Sequence, residues 1–150
     1  MREQRWQRQL GLKGSIGIFV LLVTLLEGSS GFAQQAEVIE AGRKEFRQSC
    51  VLCHGLSGGG ESVMTTLNLL TITPPDLRRL SQRHEGKFPF WYVYQVIDGR
   101  AVIRGHGTRD MPIWGDVFIY QEDGSIENET RAIGRILSLI YYLQSIQEEK

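Results

Sequence analysis

Residues 49–60 read SCVLCHGLSGGG, where two cysteines three positions apart are followed directly by a histidine. Cys50 and Cys53 are the only cysteines in the 150 residues. This pattern is compatible with a redox dithiol, with part of a zinc site, or with the covalent attachment of a haem beside its ligand His54. The sequence on either side of the motif helps to distinguish these three interpretations.

An amphipathic helix is predicted immediately before the cysteines, from Ala36 to about Gln48. Its apolar and small residues recur at helical spacing: Val38, Ile39, Gly42 and Phe46. The glycine-rich stretch from Gly55 to Gly60 should end this helical region. The cysteines therefore lie at the end of a helix.

Three further helices are predicted. The first follows Thr73, the expected cap, with Pro74 in its first turn and Asp76 as the acidic residue of a capping-box-like start, and it ends at Gly86. The next runs from Pro89 to Gly99, and the last from about Asn128 to Ile146. Residues 99–115 and the polar stretch after Tyr120 should be loops.

The pattern as a whole predicts an all-α fold, because little of the sequence alternates in the manner of a strand. With few helices and long loops, the hydrophobic core should be thin. We therefore expect something other than side chains to fill the middle of the domain.

The first 33 residues are predicted to be a signal peptide. A basic start is followed by an apolar run over residues 16–26 and then by small residues that end in Ala33, after which cleavage is expected. Residues 34–150 would form the mature domain in the periplasm or another extracytoplasmic space. An uncleaved membrane anchor is the alternative, although the run is shorter than the roughly 20 residues that span a bilayer. Outside the cytoplasm, free thiols would normally be oxidised.

Charge argues against one class of partner. The chain has 17 basic and 17 acidic residues, so its formal net charge is zero. Nucleic-acid binding normally requires a basic surface. We expect no nucleic-acid partner.

The haem interpretation accounts for the motif best. A thioredoxin-like pair follows a strand and opens a helix, whereas these cysteines close a helix. A zinc site needs four ligands, and only His84 or His106 could complete one here. In the haem interpretation, Cys50 and Cys53 form the thioether bonds and His54 is the proximal iron ligand.

Met111 is the favoured sixth ligand of the iron. It lies in RGHGTRDMPIWGD (residues 104–116), where Pro112 stiffens the loop and Trp114 supplies an aromatic wall. His106 in the same loop is the main rival, and Met64 and His84 are weaker candidates. The arginines of this region, Arg100, Arg104 and Arg109, either pair with haem propionates or are solvated surface charges.

Together these segments resemble the class I monohaem c-type cytochromes over residues 36–146. AGRKEFRQSCVLCHG (residues 41–55) is similar to the family's N-terminal helix, in which Gly42 and Phe46 would pack against the C-terminal helix ILSLIYYLQSI (residues 136–146) near Tyr141 or Tyr142. TPPDL, VIDGR and HGTRDMPIWG are similar to segments of small bacterial members. The resemblance implies a cytochrome c-like fold of three to five helices around one covalently attached haem c.

The resemblance also implies a function. With His54 and Met111 as axial ligands, the haem iron would transfer single electrons between a donor and an acceptor redox protein of a respiratory or oxidative chain. Such a protein is a carrier and not itself an enzyme. The alternatives are an electron-accepting subunit of a dehydrogenase or oxidase complex, a haem enzyme or gas sensor with a labile sixth ligand, and a thiol oxidoreductase.

The sequence departs from the family at one place. Many relatives have a proline soon after the glycine-rich loop, and its carbonyl accepts the Nδ1–H of the proximal histidine. Here no proline follows until Pro74, so the hydrogen-bond partner of His54 stays open.

Overall fold

The computed structural model describes residues 31–70, 72–100, 111–120 and 126–148. The chain divides into two units, Met1–Glu37 and Val38–Lys150. Of the first unit, only residues 31–37 are described, and they are helical and exposed. Nearly all of the predicted signal peptide therefore lies outside the described residues. No helix in the described part of the chain is long and apolar enough to cross a membrane.

All regular structure within the described ranges is helical. The helices are α1 (residues 31–49), α2 (Val51–His54), α3 (Val63–Thr66), α4 (Leu80–Arg83), α5 (Phe90–Asp98), α6 (Trp114–Tyr120) and α7 (Ile126–Ser145), with a single 3-10 turn at Leu77–Arg79. The all-α prediction is thus confirmed for these residues. The seven α-helices in these ranges exceed the expected three to five. Three of them, α2, α3 and α4, are single turns of four residues, and the other four are longer.

The long predicted helices agree with the structure, but two local predictions were wrong. Asp76, and not Thr73, caps the turn that follows, since its side chain accepts a hydrogen bond from the backbone N–H of Arg78. Thr73 and Pro74 each precede a proline, which disfavours helical backbone at both positions. A loop was predicted over residues 99–115, but its last two residues belong to α6, a short helix that the sequence did not predict.

The core of the second unit lies where α1, α5, α6 and α7 meet. Its fully buried side chains are Phe46, Phe118, Ile136, Leu139 and Ile140. The predicted crossing of the first and last helices is present. A Cβ atom at Gly42 would overlap the backbone carbonyl of Ser138 in α7, and the rings of Phe46 and Tyr142 are 5.3 Å apart. The crossing fixes α1, and α1 leads directly into the Cys-x-x-Cys-His motif.

Candidate functional site

The motif is built on the end of α1. The backbone N–H of Cys50 donates to the carbonyl of Phe46 over 2.9 Å, and the N–H of His54 donates to the carbonyl of Cys50 over 2.9 Å. Phe46 is 1% exposed, so the residue that holds the first cysteine is itself fixed in the core. Cys50, Cys53 and His54 are all half-buried, and together they form one short, well-positioned helical segment.

The environment of Cys50 is unsuited to dithiol chemistry. Cys50 and Cys53 are both free. Burial, the nearby charge of Glu45 and the neighbouring Cys53 raise the pKa of Cys50 to about 12. Reactive cysteines have lowered pKa values, because the thiolate is the nucleophile. The environment of Cys50 therefore disfavours a thiol oxidoreductase.

His54 has a buried nitrogen that lacks a well-formed hydrogen bond. Its Nδ1 is shielded from solvent and has no partner at standard hydrogen-bond geometry. Burial lowers the pKa of His54 from its ordinary value of 6.5, and an interaction with the backbone of Pro75 opposes this effect. The imidazole is therefore held neutral, which is the form that binds a metal ion.

The backbone of Pro75 lies close to the His54 ring. Because a proline has no N–H, the backbone interaction with His54 involves its carbonyl oxygen. The glycine-rich loop brings the two residues together. The N–H of Gly60 donates to the carbonyl of His54 over 2.9 Å, and a Cβ at Gly60 would lie only 2.6 Å from the carbonyl oxygen of Pro74. The close approach therefore requires glycine at position 60.

Met111 borders the same core as the motif. It is half-buried immediately before α6, and both Met111 and Cys50 pack against the core cluster from its margin. Trp114, the first residue of α6, also contacts this cluster, and its ring lies 5.4 Å from that of Phe118. The position of Met111 is therefore set by the packing of α6.

Arg100 has protein partners of its own. Its guanidinium donates to Asp98 over 2.7 Å and to Glu129 of α7 over 2.9 Å. This arrangement favours a structural role over both interpretations left open by the sequence, pairing with a propionate and a solvated surface charge. Arg104, Arg109 and the rival ligand His106 lie outside the described residues.

The weaker ligand candidates have ordinary surroundings. His84 is exposed, and its ring lies 5.6 Å from that of Tyr92. Met64 is half-buried in α3. Among the described residues, no three or more histidine, cysteine and acidic side chains are grouped so as to hold a metal ion.

Apolar side chains are exposed within the motif and in the chain that follows it. Leu52 is 60% exposed and Leu56 is 78% exposed. The chain that follows adds four more exposed apolar residues: Val63, Leu67, Leu69 and Ile72. Single exposed apolar residues are normal on a protein surface, whereas six within 21 positions are an unusually dense set.

No family model matches this chain, and no curated protein or solved structure matches it significantly.

Proposed function

We propose that this protein is a monohaem c-type electron carrier. The observation that carries the proposal is His54, a neutral imidazole with a solvent-shielded Nδ1, placed directly after two half-buried free thiols and close to the Pro75 backbone. A Cys-x-x-Cys-His segment is a specific haem-attachment pattern. The proposed fold is the cytochrome c-like arrangement.

The residues present fit such a group. Cys50 and Cys53 would hold the haem by thioether bonds, and His54 would bind the iron through Nε2, since its Nδ1 is shielded from solvent within the protein. Met111 is the proposed ligand on the other side. The exposed apolar side chains near the motif would exclude water from the macrocycle, which accounts for their number.

When bound, the haem iron supplies reversible exchange of one electron between its Fe(III) and Fe(II) states. The chain contributes a fixed geometry, because α2 is anchored to α1 through Phe46 and Met111 is anchored through α6. A thioether ligand favours the reduced iron relative to a second imidazole. Two protein ligands leave no open position for a substrate, so we propose a carrier rather than an enzyme.

The proposed location is extracytoplasmic, after export by the N-terminal segment. The proposed partners are a donor and an acceptor redox protein that dock in turn through a small, transient interface. A membrane would be involved only if the N-terminal segment is not cleaved. The net charge of zero gives no support to a nucleic-acid partner.

A second candidate function keeps the haem but places the protein in an enzyme complex as its electron-accepting subunit. An exposed aromatic cluster favours it: Trp91 is 70% exposed and lies 5.3 Å from Phe90 and 6.0 Å from Tyr94, ring to ring. Tryptophan and tyrosine are enriched in the central part of protein interfaces. A permanent complex would co-purify with the protein, whereas a free carrier would be isolated alone.

Covalent attachment and redox titration test the proposal. The protein is matured in a host that can attach haem, denatured, and extracted with acidified solvent. We expect the haem to stay with the wild-type chain and to be lost from a Cys50→Ala, Cys53→Ala double variant. The wild type should titrate as a single one-electron centre. A colourless wild-type protein with titratable thiols would contradict the proposal.

A further inference from the structure

Two residues that follow α7 form hydrogen bonds and ion pairs with the segment directly after Pro75. We call the two residues responsible, Gln147 and Glu148, the C-terminal clasp. The side-chain amide of Gln147 donates to the carbonyl of Leu77 over 2.8 Å and accepts from the N–H of Ser81 over 2.9 Å. Both side-chain hydrogen bonds join positions that are at least 66 residues apart in the sequence.

Glu148 adds charge to the clasp. Its carboxylate pairs with Arg78 over 3.1 Å and with Arg79 over 3.2 Å, and its N–H donates to the carbonyl of Arg78 over 2.9 Å. Arg78 in turn bonds Asp76 over 2.8 Å. The residues directly after Pro75 are therefore connected to the end of α7 by backbone, amide and ionic contacts.

The same segment also contacts the glycine-rich loop that follows the Cys-x-x-Cys-His motif. The N–H of Leu77 donates to the carbonyl of Gly58 over 2.8 Å, and the carbonyl of Pro74 lies against Gly60. Gly60 is bonded to the backbone of His54. The Pro74–Leu77 segment is thus held between the clasp and the loop that follows His54.

We propose that Gln147 and Glu148 are positioning residues that keep the carbonyl of Pro75 against Nδ1 of His54 and thereby set the reduction potential of the haem. This inference rests on the proposed function. It extends that function to the regulation of the site, since residues at the end of the chain would control the basicity of the proximal ligand.

The direction of the effect follows from the chemistry of the ligand. A hydrogen bond from Nδ1–H to a carbonyl makes the imidazole a stronger electron donor to the metal. A stronger donor stabilises Fe(III) relative to Fe(II) and lowers the potential. Loosening the clasp should move the Pro75 carbonyl away from the His54 ring and weaken its interaction with Nδ1–H, so the potential should rise.

The test compares Gln147→Met with Gln144→Met in the haem-loaded protein. Both changes replace one glutamine near the end of the last helix with a side chain of similar length. Gln144 is exposed, whereas Gln147 bridges Leu77 and Ser81. The readouts are the midpoint potential and, in the reduced protein, the solvent exchange rate of the Nδ1 proton of His54 measured by NMR.

We expect Gln147→Met to raise the potential and to speed exchange of the proton by about tenfold, the factor expected for the loss of one hydrogen bond. Gln144→Met should match the wild type in both readouts. An exchange rate for Gln147→Met equal to that of Gln144→Met, in a protein with intact axial ligands, would overturn the inference while leaving the proposed function standing. A wild type that attaches no haem would overturn both.

A second variant, Glu148→Gln, changes the structure less than Gln147→Met and tests the proposal if Gln147→Met does not fold. Glu148→Gln removes the charge that Arg78 and Arg79 share but keeps the shape of the side chain. Its control is Glu127→Gln, which removes the charge of Glu127 from an exposed ion pair with Arg131, both of them residues of α7. Glu148→Gln should speed proton exchange relative to Glu127→Gln, and equal rates in the two variants would contradict the proposal.

Discussion

Arg135 of α7 forms a two-point ion pair with Glu45 of α1, three residues after the close approach of Gly42 to α7. Its Nε and Nη2 atoms each donate to the Glu45 carboxylate over 2.9 Å. The guanidinium also lies over the ring of Phe118, 3.8 Å from the centroid. This pair joins α1, which leads into the Cys-x-x-Cys-His motif, to α7 and to Phe118 of α6, the helix that follows Met111.

Glu45→Ala should destabilise the protein by roughly 1–3 kcal/mol, because it removes a carboxylate that accepts two charge-assisted hydrogen bonds from Arg135 in a partly buried position. The measurement is urea unfolding of the full chain. Glu127→Ala is the control, since its ion pair with Arg131 is exposed and should contribute less than about 1 kcal/mol. Equal losses in the two variants would contradict a special role for the Glu45–Arg135 pair.

Gly42→Ala should destabilise the helix crossing by roughly 1–3 kcal/mol, because the added methyl group would overlap the carbonyl of Ser138 and force α1 away from α7. Gly134→Ala provides a matched control within α7. A Cβ there meets nothing within 4 Å, so the change should stabilise the protein by up to about 1 kcal/mol through helix propensity. Thermal unfolding distinguishes the two, and a neutral Gly42→Ala would count against the crossing.

Gly115→Ala should disturb the segment that carries Met111. A Cβ at this position would lie 2.5 Å from Oδ1 of Asp98 and 2.6 Å from Nε of Arg100. Relief of that contact would break the ion pair or displace the start of α6, at a cost of roughly 1–3 kcal/mol. We expect lower stability and an altered methionine–iron absorption band, and an unchanged band together with unchanged stability would refute this account.

The free energy of unfolding should depend on pH through the carboxyl group of Asp76. Hydrogen bonds from Arg78 hold the pKa of Asp76 below its ordinary value of 3.8. The stability that Asp76 contributes is therefore present above about pH 4 and is lost as the pH falls through its folded-state pKa. The difference in unfolding free energy between wild type and Asp76→Asn should be largest near pH 6 and should shrink toward pH 3.

Glu40→Gln is the control for this pH series. Its ion pair with Arg43 is 3.4 Å long and exposed on both sides, so the change should have little effect at any of these pH values. A difference for Asp76→Asn that grows as the pH falls would have the wrong sign and would contradict the assigned role.

The long helices could be predicted from sequence because their apolar residues repeat over several turns. Phe46 and the stripe of α7 indicated which faces are buried, and Gly99 marked the end of α5 in its left-handed conformation. α6 was missed because a seven-residue helix between a proline and a polar stretch contains too few turns to show a period.

The link between His54 and Pro75 could not be predicted in the same way. It joins residues 21 positions apart, and it depends on how the glycine-rich loop folds. Gly58 and Gly60 adopt positive φ values of 80° and 89°, which turn the loop back toward Pro74. The sequence shows that glycines permit such a path, but it does not show which of the permitted paths is taken.

The central claim is that His54 and Met111 bind one iron, and the absorption spectrum of the oxidised, haem-loaded protein tests it most directly. The wild type should show the methionine–iron charge-transfer band. Met111→Ala should lose it, while Met64→Ala, which removes the half-buried methionine of α3, should keep it. A band that survives in Met111→Ala, or a wild-type spectrum without it, would contradict the assignment.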